Sequence, residues 1–384
     1  MSRDGPSRAA PGTARGERPP GGAAGVAARL SDESTPRGPA WATALLAGLR
    51  DAAPGASAVA LAVRRGPHQV VVATGGTRWE GGSPAGPGTR FEIGSLTKTF
   101  TALLLAEMVA RGEVAYDDPV ARFLPRGAAP RQRGAPITLG HLATHTSGLP
   151  RVPPGFLRGS ASAYFSNPYA HCSPDELWRA LARIRPRAAP GTRVHYSNLG
   201  VGLLGEALVR AAHGPDGGYG PLLDERVLRP LGLARTSCDT DQPQATGYWH
   251  GRARPAWRMP TLAGAGAGRS SPRDLLAFLD CLTDPATAPA ATPEPLRAAL
   301  ADVTRPRIAL PRTGRRIALV WNIRPRPGHA LYHHSGGTRG FTAFAGFDPR
   351  HRIALAALAN THPSPTGAFI QRAYLGLWAL AQEE

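Results

Sequence analysis

Strand-forming sequence gathers at the two ends of this 384-residue chain and is sparse between them. Near the start, residues 57–63 and 69–74 read as two strands joined by Arg64-Arg65-Gly66-Pro67, a hairpin. Toward the end, residues 318–323, 330–334, 342–347 and 353–360 carry strand signals parted by Gly, Pro and Asp turns. Helical periodicity precedes the first group at 41–49 and follows the last at 367–381. Short apolar strands need partners to bury their faces, so the two ends are expected to form one sheet.

The fold class that follows is α/β (α+β), an antiparallel sheet flanked by helices, with a mainly helical insertion. Residues 41–116 and 260–384 are expected to make the sheet domain and 117–259 the insertion, with helices at 175–184, 199–212 and 220–228. Residues 1–40, almost all Pro, Gly, Ala, Ser and Arg, read as a disordered leader without the continuous apolar stretch of an export signal. No run approaches 18 apolar residues, so no membrane association is expected. Cys172, Cys238 and Cys281 are far apart and form neither a metal-ligand pattern nor an even disulfide set. Reduced thiols in a cytoplasm are the simplest account.

A formal charge of +18 would ordinarily suggest nucleic acid. Here the arginines are scattered among Ala, Gly and Pro, with no basic helical stripe and no basic segment interleaved with aromatics, so nucleic acid is not an expected partner. The charge nevertheless isolates one residue. Lys98 is the only lysine among 45 Lys and Arg residues. Arginine cannot lose its proton in a protein, whereas a buried lysine can become a base.

Three positions upstream stands Ser95, and residues i and i+3 share one face of a helix. The apolar run from Phe100 to Ala110 places Ser95 at that helix's start, where free N–H groups can hold a developing oxyanion. Ser95-x-x-Lys98 is therefore a candidate acylated serine with its lysine. Tyr196-Ser197-Asn198, before the helix expected at 199, offers a phenol that a neighbouring cation could push below its free pKa near ~10. His334-Ser335-Gly336-Gly337 ends a strand, and its glycines would let substrate approach the strand edge closely. His141 and His145 lack a third metal ligand and read as structural loop residues. Neither a metal nor a cofactor is expected. Phe156, Tyr164, Phe165 and Tyr169 either line a pocket or pack on themselves.

In this order, Ser95-x-x-Lys98, Tyr196-x-Asn198 and His334-x-Gly336 resemble the serine β-lactamase and penicillin-binding-protein superfamily, in its class C-related esterase and acyltransferase branch. Phe91-Glu92-Ile93-Gly94 and residues 142–150 and 264–275 match as well, so the resemblance covers about 41–384. It implies Ser95 as nucleophile, Lys98 and Tyr196 as the proton-transfer pair, and Ser95 and Gly337 N–H groups as the oxyanion hole. Asn198 would orient the substrate, and His334, Ser335 and Gly336 would form the substrate-binding edge. His334 takes the place of the lysine typical of penicillin-active members, which points toward the esterase, aminopeptidase and acyltransferase branches. Arg339 is a candidate fork donor to a substrate carboxylate, or a solvated turn residue.

The expectation is a cytoplasmic serine hydrolase or acyltransferase whose partners are a small-molecule acyl donor and, in the transferase reading, an amine acceptor. An amide-forming transacylase or peptide cyclase of an antibiotic pathway would use the same acyl-serine. A binding domain that kept the fold without turnover is the alternative of a different class.

Overall fold

The structure, a computed structural model, describes residues 38–131, 134–154, 167–170 and 172–382. The expected leader, except its last three residues, and Phe156, Tyr164 and Phe165 lie outside them. The strands in chain order are β1 (Ala58–Arg65), β2 (His68–Gly75), β3 (Phe91–Glu92), β4 (Gly247–Trp249), β5 (Arg252–Arg254) and β6 (Arg269–Ser270). They continue as β7 (Ile308–Leu310), β8 (Arg315–Ile317), β9 (Asn322–Arg326), β10 (His329–Gly337), β11 (Thr342–Asp348) and β12 (Ile353–Ala359). Eight of them make one antiparallel sheet in the order β2-β1-β12-β11-β10-β9-β8-β7. The N-terminal hairpin docks on the last strand, with Leu61 opposite Ala357, and this pairing joins the chain ends as expected.

Helices cover both faces of the sheet. α1 (Ala40–Asp51) lies on one side, and α2 (Thr97–Ala110) on the other. Further along come α3 (Leu139–Ala143), α4 (Pro174–Arg183), α5 (Asn198–His213) and α6 (Tyr219–Leu223), then α7 (Pro272–Thr283), α8 (Glu294–Asp302) and α9 (Ala368–Leu380). Alternation along β1 feeds both sides, with Val59, Leu61 and Val63 facing α1 and α9 while Ala58, Ala60 and Ala62 face α2 and α7. This double burial explains why β1, β11 and β12 read as almost continuous apolar runs. Each fully buried Leu, Val or Phe contributes about 1.5–3 kcal/mol. Asn360, fully buried just past β12, ties the seam. It accepts from Ala58 N–H at 2.8 Å and donates to Ser57 Oγ at 2.8 Å and Thr246 O at 2.7 Å.

Two local expectations are corrected. The apolar run 318–321 is not a strand but a buried crossover between β8 and β9, with Val320 at φ 66° and its N–H on Ala143 O at 2.8 Å. Burial on every side makes such a run indistinguishable by periodicity from a core strand. The arginine-rich β8 and the three-residue β7 at the sheet edge are too short and too interrupted to give a strand pattern and were not anticipated. Among the described residues, no helix is long and apolar enough to cross a membrane.

Candidate active site

A single 3-10 turn, Gly94–Leu96, leads into α2, so Ser95 stands at the mouth of the helix and Lys98 one turn in. α2 is buried from Thr97 to Met108, packed on all sides through its central run 100–108, and it carries Lys98 inside with it at 0% exposure. Lys98 Nζ lies 3.0 Å from Ser95 Oγ and 2.6 Å from Ala265 O. Desolvation, reinforced by the Arg151 charge, pushes its ammonium well below the ordinary lysine value. Lys98 donates to both Ser95 Oγ and Ala265 O, and its lowered pKa favours loss of a proton.

Tyr196 approaches from the N-terminal end of α5. Ser197 Oγ caps that helix by accepting Gly200 N–H at 2.8 Å, and donates to Pro150 O at 2.7 Å. The cap leaves Tyr196 just outside the helix, with its hydroxyl donating to Ser95 Oγ at 2.8 Å. Burial pushes the phenol's pKa up, opposed by the Ser95 hydrogen bond and the Arg151 charge. This corrects the expectation of a depressed phenol: the tyrosine's own burial outweighs its polar and charged neighbours. Burial thus disfavours the charged form of both groups, the ammonium of Lys98 and the phenolate of Tyr196.

β10 brings the third motif. A Cβ on Gly336 would fall 1.9 Å from Ile93 O and 2.9 Å from Ser95 N, so only glycine permits this contact between strand and nucleophile turn. Gly94, at φ +47°, returns the arrangement, since a Cβ there would meet Gly337 N at 2.7 Å. These contacts bring the Gly337 backbone against the turn that carries Ser95. Glu92, just before the turn, accepts from Thr338 Oγ1 at 2.7 Å and Trp257 N–H at 2.7 Å, and a buried Arg269 flanks it at 3.7 Å.

His334 is 4% exposed, with its ring 6.4 Å from that of Tyr196 and its Nδ1 2.9 Å from Ser335 O. Burial above all pushes its pKa well below the usual histidine value. His334 is neutral, and the permanent cation of a third-motif lysine is missing at this place. Asn198 lines the cleft and donates Nδ2–H to Tyr169 OH at 3.0 Å, while its Oδ1 is buried without a hydrogen-bond partner among the described residues. Arg339 stacks over Trp249 at 5.2 Å on the cleft wall.

Ser95, Tyr196, Asn198, His334, Ser335, Gly336, Gly337 and Arg339 all line one cleft of about 830 Å³, with Lys98 beneath its floor. The predicted site residues are therefore brought together. Tyr169 joins the wall, which settles one of the two readings left open for it. No Asp or Glu is among the described lining residues.

Two contributors went unread in the sequence. His145, taken as an ordinary loop residue, is buried at φ 58°, accepts Ser197 N–H at 3.3 Å and packs its ring 4.6 Å from Tyr196. Desolvation above all brings its pKa down to about 3, so it braces the tyrosine as a neutral ring. His141, in contrast, does serve local structure, accepting Thr138 N–H in the capping box of α3. Arg151 holds its guanidinium 5.4 Å over the Tyr196 ring, opposite Lys98 Nζ at 5.1 Å. Only the fold brings Arg151 to the site, because nothing in its local sequence marks it.

An antiparallel sheet between helical layers, with a serine held between a buried lysine and a tyrosine, defines the β-lactamase/transpeptidase fold. The chain belongs to the Beta-lactamase family, whose family model matches residues 42–377. The crystal structure of a class C beta lactamase from Rhodobacter sphaeroides superimposes with a TM-score of 0.73 at 24% identity, covering 89% of this chain and 99% of that one. The chain is 33% identical over 228 residues to the D-alanyl-D-alanine-carboxypeptidase/endopeptidase AmpH of Escherichia coli (strain K12). It is 33% identical over 210 residues to the esterase EstB of Burkholderia gladioli. Those matches take in 59% and 52% of this chain and only 57% and 51% of the two relatives, so the chain spans little more than half of either. The family is thus one of serine β-lactamase-like hydrolases.

Proposed function

We propose that this chain is a serine acyl-enzyme hydrolase cleaving a small ester or amide. One observation carries the reading: Ser95 Oγ sits between Lys98 Nζ at 3.0 Å and Tyr196 OH at 2.8 Å, at a helix start facing an open cleft. Neutral Lys98 takes the serine proton as Oγ attacks the substrate carbonyl carbon. The carbonyl oxygen becomes an oxyanion held by the N–H groups of Ser95 and Gly337. Tyr196 gives its proton to the leaving group as the ester or amide bond breaks, and Lys98 returns a proton to Tyr196. Water then attacks the acyl-serine, and the same groups run in reverse to free the acid.

Asn198 Oδ1, buried without a partner, is suited to accept an N–H or O–H of the substrate. The neutral His334 supports an ester or peptide-like substrate over one drawn in by a fixed cation at that position. A cytoplasmic setting fits the three unpaired cysteines. Transfer of the acyl group to an amine in place of water uses the same intermediate.

The test is intact mass after exposure to a fluorophosphonate, for wild type and Ser95→Ala, followed by an ester panel with and without added amines. A single adduct lost in Ser95→Ala, with acid as product, is expected. Amide product in the presence of amine would move the reading to acyl transfer. An unlabelled wild type would overturn it and leave a binding domain without turnover.

A further inference from the structure

Away from the cleft, three side chains converge where the sequence showed no pattern. His329 is the first residue of β10, Asp348 the last of β11, and His351 lies in the turn to β12. Asp348 Oδ2 accepts from His329 Nδ1 at 2.6 Å and from His351 Nδ1 at 2.7 Å. Its Oδ1 is fixed by Arg350 N–H at 3.0 Å. The two rings meet nearly edge to face, 4.7 Å apart at 75°, so they converge on the carboxylate without stacking on each other. One donor atom from each residue lies within 4.8 Å of the others, the only such group of three among the described residues.

From this cluster we infer a second site, one that binds a divalent transition-metal ion of the zinc class through His329, Asp348 and His351. Two imidazoles and one carboxylate supply three ligands on one side of an ion and leave the remaining positions to water. The composition makes the choice of partners informative. In a chain with 45 Lys and Arg residues, the buried carboxylates of Glu92, Glu107 and Asp280 are each met by arginine. Asp348, fully buried, is met by two imidazoles. Arginine would neutralise a buried carboxylate as well or better, but it cannot ligate a metal. The Arg350 N–H on the second oxygen orients the carboxylate, as outer hydrogen bonds do around metal ligands.

His351 is 24% exposed and His329 5%, which gives the ion an entry from the turn side. His329 is five residues along β10 from His334, roughly 17 Å away. The ion would therefore staple the β9–β10 turn to the β11–β12 turn and take no part in the chemistry at Ser95.

The full untagged chain, stripped with a chelator, would be titrated with zinc chloride by calorimetry and followed by thermal unfolding. Wild type, His351→Ala, Asp348→Asn and the control His68→Ala would be compared. One ion per chain is expected, with a raised melting temperature. His351→Ala should weaken binding by about 100-fold while its metal-free melting temperature stays near wild type, because that ring is partly exposed. Asp348→Asn, which keeps the side-chain shape, should weaken binding similarly, and His68→Ala should leave it unchanged. Fluorophosphonate labelling at Ser95 should be equal with and without zinc. No binding at about 1 mM zinc, or equal affinity in wild type, His351→Ala and Asp348→Asn, would overturn the site.

Discussion

Lys98→Met tests the buried base from two independent directions. In the fold, desolvation and the Arg151 charge depress the lysine's pKa, while in the unfolded chain it stays protonated to about pH 10.4. Between those two values the unfolded state binds one more proton than the folded state, so stability rises with pH by about 1.4 kcal/mol per unit. The window from pH 7 to 8.5 isolates this slope. Within it the thiols of Cys238 and Cys281, pushed up to about 12 and about 11 in the fold, begin to oppose the rise as they ionise in the unfolded chain near pH ~8.5, but they do so equally in Lys98→Met and cancel in the comparison. Wild type should gain up to about 2 kcal/mol over that window relative to Lys98→Met, measured by urea unfolding at four pH values. The variant leaves Ala265 O without its donor, a cost of about 1–3 kcal/mol, offset by removing the buried amine. It should remain folded and lose about 10²- to 10⁴-fold in acylation rate. Parallel stability slopes for the two proteins, or wild-type labelling of Ser95 in the variant, would refute a neutral buried lysine.

Other expectations follow from neighbouring contacts. Tyr196→Phe should leave the melting temperature within a few degrees and lower ester turnover by about 10²- to 10⁴-fold, read from kcat in a steady-state assay. Gly336→Ala forces a Cβ to within 1.9 Å of Ile93 O, so it should cost about 1–3 kcal/mol in chemical denaturation and abolish fluorophosphonate labelling by moving Ser95. His145 and His333 are both down to about 3 in the fold, the latter through burial and then the Arg324 and Arg315 charges, against about 6.5 unfolded. The unfolded state takes up their protons first, so stability should fall as pH drops from about 6.5 toward 3, and His145→Asn should flatten that fall by about one proton. Asn360→Leu strands Ala58 N–H and Thr246 O at the seam of the sheet and should lower stability by about 2–4 kcal/mol in urea titration.

The chain order of strands and helices settled most of the architecture, because β1, β11 and β12 are apolar along most of their length and must be covered on both faces. The nucleophile, its lysine and its tyrosine were equally legible, since the i, i+3 spacing of Ser95 and Lys98 puts both on one helical face wherever that helix goes. Direction of charge was not. A tyrosine beside the only lysine looked depressed in sequence, and three-dimensional burial of the phenol itself reversed that. Distances in sequence also hid the braces. His145 lies 51 positions from Tyr196, and Arg151 lies 45, so no local pattern could pair them. His329, Asp348 and His351 likewise met only because β10 and β11 run antiparallel with their ends together. Local spacing encodes what one helix or hairpin carries, and that much could be read from the sequence alone. Which groups lose water, and therefore which of them hold or release a proton, depends on what the rest of the chain packs around them, and only the tertiary structure decided it.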